Sequence, residues 1–121
     1  MDNLDLVDDP DLAAEQATAR GAYPHRIDGS AIRTALDALD AIAAALSFPD
    51  YFGRNLDALY DSLTDLSWLP PGEHVLIWSN PETLRDTDPT GYRDIRATLS
   101  DAVPATTDRT HQLRVQITAA A

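Results

Sequence analysis

Apolar positions along the chain recur with two periods. Tyr23, His25 and Ile27 alternate with Pro24 and Arg26, which predicts a short strand stopped by Asp28-Gly29. Ile32, Leu36, Leu39, Ala43 and Leu46 follow at spacings of three and four. That spacing predicts an amphipathic helix over 31–46, with Ser30 as N-cap and Arg33 and Asp37 paired on its wet side. Pro49 and Gly53 break the pattern, and the aromatics between them predict an ordered loop. Asn55 opens a second helix running to about 66. After the Pro70-Pro71-Gly72 turn, His74–Trp78 is an unbroken apolar run, the mark of a strand buried on both faces. Pro81, Pro89 and Gly91 predict that 80–91 is mostly loop, with at most one helical turn at 81–84. Tyr92, Ile95, Leu99 and Ala102 mark a further helix. Leu113, Val115 and Ile117 alternate with Gln112, Arg114 and Gln116, as in an edge strand with one polar face.

The order β-α-α-β-α-β implies an α/β fold with right-handed crossovers. We expect a small three-stranded parallel sheet, order 1-2-3, packed by helices, within one domain over 22–121. Residues 1–21 form an acidic extension. Asp9-Pro10 reads as a helix start and Gly21 as its end, so 10–19 is either a short helix or part of a mobile tail.

Composition narrows the chemistry. The chain has 121 residues, 9 basic and 20 acidic, with a net charge of −11. Seventeen of the acids are Asp, every basic residue is Arg, and Cys is absent. Disulfides, thiolate catalysis, Cys-ligated zinc and lysine chemistry are therefore excluded. The charge disfavours nucleic acid and anionic membrane as direct ligands and favours a cationic partner. No stretch approaches the length of a membrane span, and the N-terminus lacks the basic and apolar regions of a secretory signal. The expected location is the cytoplasm.

The second helix conflicts with local preference. Leu56, Leu59, Leu63 and Leu66 share one side, while Asp57, Asp61 and Asp65 fall opposite at i, i+4 and i+8. Like charges at that spacing cost roughly 0.2–0.5 kcal/mol per pair. The helix dipole helps Asp57, gives Asp61 nothing and opposes Asp65. No Arg lies within the helix, and Arg54 only precedes it. Tyr60 sits on the border of the two faces. A solvated acidic face would explain this, and so would a binding surface for a basic partner.

The segment Phe48-Pro49-Asp50-Tyr51-Phe52-Gly53-Arg54-Asn55-Leu56-Asp57-Ala58-Leu59-Tyr60-Asp61-Ser62-Leu63-Thr64 resembles the signature of the barstar family, intracellular inhibitors of the ribonuclease barnase. The family pattern is Pro-acid-aromatic-aromatic-Gly-x-Asn-Leu-Asp-Ala-Leu-aromatic-Asp-x-Leu-Thr. Element order, the Ile27-Asp28-Gly29 turn and the strand ending at Trp78 extend the resemblance over Tyr23–Thr118. It implies a barstar-like fold and a non-catalytic inhibitor, without cofactor or metal. That inhibitor binds a basic, secreted ribonuclease 1:1 and plugs the phosphate site as an RNA mimic. Asp61 would be the central anchor and Asp57 its partner one turn earlier. Tyr51 would pack on a catalytic histidine, with Gly53 and Asn55 making loop contacts. Leu56 falls within the signature, Tyr60 replaces the family Trp, Thr64 is a rim contact, and Asp101 aligns with an acid that pairs with an enzyme arginine. Asp65 and Leu66 stand where the best-known member has Gly and Trp, and Trp68 could supply the lost aromatic.

Three other readings carry less. An enzyme would need a nucleophile or base near the aspartates, and His25, His74 and His111 are scattered along the chain. Asp86–Gly91 resembles half of an EF-hand loop but lacks the final Glu, which favours a turn. A DNA-mimic would share the charge without requiring the Tyr51–Thr64 pattern.

Overall fold

The structure is a computed structural model and describes residues 2–118. Residue 1 and residues 119–121, the outer ends of the two expected segments, lie outside them. The elements in chain order are β1 (Asp5–Val7), α1 (Pro10–Ala19), β2 (Tyr23–Asp28), a 3₁₀ turn (Gly29–Ala31), α2 (Ala35–Ala45), α3 (Leu56–Asp65), β3 (Gly72–Ser79), α4 (Glu82–Thr87), α5 (Pro89–Ala105) and β4 (His111–Thr118).

The sheet is parallel throughout, but it has four strands in the order β1-β4-β3-β2, not three. The three expected strands are adjacent in chain order, with the apolar β3 between β2 and β4. The extra strand comes from the acidic extension. Asp5 to Val7 pair with Gln116 to Thr118 of β4, so β4 is interior rather than the expected edge. Its polar face suits an interior strand because Arg114 on that face meets Glu73 at 3.2 Å and Asp5 at 3.9 Å.

Two cores lie on opposite faces of the sheet. On one, Leu76 and Trp78 of β3 and Leu113, Val115 and Ile117 of β4 pack under α2, α3 and α5. On the other, Val75 and Ile77 pack under Ala13 and Ala17 of α1, with Ala22. Side chains alternate along β3, so one strand feeds both cores. Residues 10–19 are therefore a docked helix. Asp9 caps it by accepting from the backbone N–H groups of Asp11 and Leu12, and Pro10 takes the first turn. Asn3 secures the start of the extension by donating to Ser100 Oγ and Ser100 O on α5, both at 2.9 Å.

Other differences have local causes. Ser30 sits in the 3₁₀ turn, and Thr34 is the N-cap of α2, accepting from Asp37 N. The buried stripe of α2 is accordingly Ala38, Leu39 and Ile42, and Leu36 is half-exposed. Residues 80–91 are largely helical because Pro81 and Pro89 stand at the starts of α4 and α5, where a missing N–H costs nothing. Asp88 joins the two, accepting from Gly91 N at 3.0 Å and from Ala35 N at 3.1 Å. An added Cβ at 91 would run into that carboxylate, so a larger residue there would have to push Asp88 off its bonds to Gly91 and Ala35. Among the described residues no helix is long and apolar enough to cross a membrane.

Candidate functional site: an acidic helix and its aromatic loop

The helix α3 begins where Asn55 caps it, accepting from Ala58 N at 2.8 Å and donating to Gly53 O at 3.1 Å. Leu59 and Leu63 are fully buried and fasten the helix to the core. That anchorage leaves Asp57, Asp61 and Asp65 exposed on the opposite side. Among the described residues none of their carboxylates meets a cation or a hydrogen-bond donor, whereas seven of the nine arginines pair with acids elsewhere. Three of the carboxylates left outside any ion pair thus share one face of this helix. Arg109 approaches its C-terminal end, where it faces the Thr64 carbonyl at 3.5 Å.

The preceding loop is built from both sides. Phe48 and Phe52 meet edge to face at 4.9 Å and pack on the core. Trp68 closes over Phe48 at 5.8 Å and donates to the Leu46 carbonyl at 2.9 Å. Trp68 therefore braces the loop from behind. Tyr51 projects outward with 84% of its surface exposed, and Tyr60 is 38% exposed beside the aspartates. At the loop's end Arg54 turns away from α3 and clasps Asp40 of α2 through two bonds of 2.8 and 3.0 Å.

The face so formed brings together Tyr51, Gly53, Asn55, Asp57, Tyr60, Asp61, Thr64 and Asp65 on one loop and one helix. Leu56, expected among the leucines of the core side, is 36% exposed at the helix start. Leu66 is corrected: it is fully buried, with a left-handed φ of 52°, and ends α3 by donating its N–H to Ser62 O. Its side chain offers a partner no surface. Asp101 is exposed on α5, in a groove with Asp2, Tyr92 and Arg96. A different α5 acid, Asp94, lines a groove of about 440 Å³ together with Asp57, Ala35 and Leu39, its carboxylate paired with Arg93 at 3.1 Å. No periodicity marks Asp94 out from the other aspartates in the sequence.

The histidines are not scattered. They come from three adjacent strands and gather at one end of the sheet, with His25 Nε2 2.9 Å from His74 Nδ1 and the His74 and His111 rings stacked at 6.4 Å. His74 Nε2 lies 2.8 Å from the Pro70 carbonyl and His111 Nε2 2.9 Å from that of Leu69. They pin the linker that follows α3. Among the described residues no group of three or more His, Asp or Glu is arranged to hold a metal ion. Burial, then repulsion from His74, holds His25 below its ordinary pKa of 6.5, against the opposing hydrogen bond to Ala45. Folding thus favours neutral His25. Its contribution is complete above pH 6.5 and declines below it, as the unfolded chain takes up the proton first. Thermal melts from pH 7.5 to 5.5 are expected to show the protein losing stability relative to a His25→Gln variant as pH falls. Parallel curves would contradict this.

Carboxylates left unpaired on a well-anchored helix, beside outward-facing tyrosines, give this small parallel α/β protein an exposed acidic and aromatic face. The family model described as Barstar (barnase inhibitor) matches residues 22–118, and the chain belongs to the Barstar family. That description is of an inhibitor, not an enzyme. A segment of 31 residues is also 58% identical to the protein named "Putative ribonuclease inhibitor YrdF" of Bacillus subtilis (strain 168). The matched segment covers 26% of this chain and 34% of that relative's length.

Proposed function

We propose that this protein, a monomer when free, is a stoichiometric 1:1 inhibitor of a basic, secreted ribonuclease of the barnase class, acting in the cytoplasm of the producing cell. The observation that carries the reading is the uncompensated row Asp57, Asp61 and Asp65, on a helix otherwise fixed by buried leucines. Such a row is unfavourable in water and favourable against cations that bind RNA phosphates. Asp61, central on the face, takes the phosphate position. Asp57 engages a cation one turn earlier, and Asp65 and Thr64 meet the rim. Tyr51 and Tyr60 supply the apolar contact area, and Gly53, Asn55 and Leu56 the close approach of the loop and helix start. Asp101 pairs with a basic residue at the edge.

Family membership supports the inhibitor role, and charge complementarity supports the target class. A DNA-mimic would need only the charge, whereas here the charge comes with an aromatic loop braced by Phe48, Phe52 and Trp68. The test is titration of barnase with this protein while RNA cleavage is followed. Activity should fall linearly and vanish at one equivalent, with faster association at low salt. Undiminished cleavage at excess inhibitor, across barnase and several related enzymes, would end the reading.

A further inference from the structure

Arg54 is out of place on a surface meant for a cationic enzyme. It stands between Gly53 and Asn55, in the loop that leads into the acidic helix. A free guanidinium there would repel the partner and weaken the steering that the aspartates provide. The structure removes that charge internally. Arg54 adopts a left-handed φ of 49° and reaches back to α2, where Nε and one terminal nitrogen grip the two oxygens of Asp40. The pairing is bidentate, the geometry in which an arginine is most firmly oriented. The same grip ties down the residue between Gly53, whose carbonyl accepts from Asn55, and the Asn55 cap.

We propose that Asp40, which lies outside the binding face, is a positioning and charge-masking residue: it neutralises Arg54 and holds it off the surface presented to the ribonuclease. The proposal rests on the inhibitor reading above. It separates two roles, because an exposed ion pair adds little to stability, whereas an unmasked charge at the interface is felt by the partner.

A double-mutant cycle read by barnase association and inhibition tests it. Asp40→Asn leaves Arg54 charged and untethered, and is expected to slow association at low salt by about three- to tenfold, with the deficit shrinking at high salt. Arg54→Gln and the double variant Asp40→Asn/Arg54→Gln lack both the tether and the charge, and should associate within about twofold of the unaltered protein. A purely structural tether predicts that all three variants are impaired equally. Equal impairment, or an Asp40→Asn variant indistinguishable from the parent, would overturn the proposal while leaving the inhibitor reading intact. A parent protein that does not bind barnase or its relatives would overturn both.

Discussion

Replacing Asp61 with Ala should weaken ribonuclease inhibition by roughly 10²–10³·⁵-fold and leave the fold as stable as before, or more so. Both halves follow from the same geometry. In the free protein Asp61 is exposed and meets no cation, and its nearest charged neighbours along the helix are Asp57 and Asp65. Removing it relieves two like-charge pairs, each worth roughly 0.2–0.5 kcal/mol. In the complex the same carboxylate is desolvated against the enzyme's cations. Removing one partner of a buried ion pair costs about 3–5 kcal/mol, because the other charge is left uncompensated. Asp61→Asn should be nearly as damaging, since it keeps the shape and loses the charge. Inhibition titrations give the first half and thermal melts the second. A variant that loses affinity only in proportion to lost stability would mean that Asp61 acts through the fold rather than through the partner.

The second large effect concerns the extension that precedes the family match. A chain beginning at Ala22 should melt roughly 10 °C or more below the full chain, and should self-associate. Without α1, Val75 and Ile77 lose their cover, and both are fully buried in the intact protein. Burial of each such side chain is worth about 1.5–3 kcal/mol, and each lost kcal/mol lowers the midpoint of a domain this size by roughly 4–8 °C. Without β1, the backbone of β4 from Gln116 to Thr118 becomes an open edge ready to pair with another copy. The acidic helix packs on the other face of the sheet, so each folded molecule should still inhibit. Calorimetry and sedimentation on the truncated chain test this. A midpoint unchanged within a degree or two would show that the extension is dispensable.

What was legible in the sequence was whatever repeats. The alternation of Leu113, Val115 and Ile117, the apolar run His74–Trp78 and the leucines of α3 each state their element and their buried side. The acidic stripe was legible for the same reason, because Asp57, Asp61 and Asp65 share the helical period. Features that depend on a distant partner were not. β1 has only three residues and exists because β4 offers it an edge, so Leu6, 70% exposed, carries no alternation worth reading. Leu36 fits the spacing of three and four but is half-exposed, because the buried stripe of α2 runs through Ala38, Leu39 and Ile42 and leaves Leu36 at its margin. Leu66 is buried with the other leucines of α3, as its side of the helix implies, so only the family comparison suggested a contact there. The histidine cluster and the Arg54–Asp40 clasp arise from strands and helices brought together by topology. In sequence the clasp is two residues fourteen positions apart.

The central claim is that α3 occupies the site where the ribonuclease holds RNA phosphate. Its most direct test is competition. Binding of this protein to barnase is measured at increasing concentrations of a nucleoside monophosphate that fills the enzyme's phosphate site. The account predicts mutually exclusive binding, with an apparent Kd that rises in proportion to nucleotide once that site is saturated, and no ternary complex. An affinity indifferent to nucleotide, or a complex holding protein and nucleotide together, would place the inhibitor elsewhere on the enzyme and contradict the account.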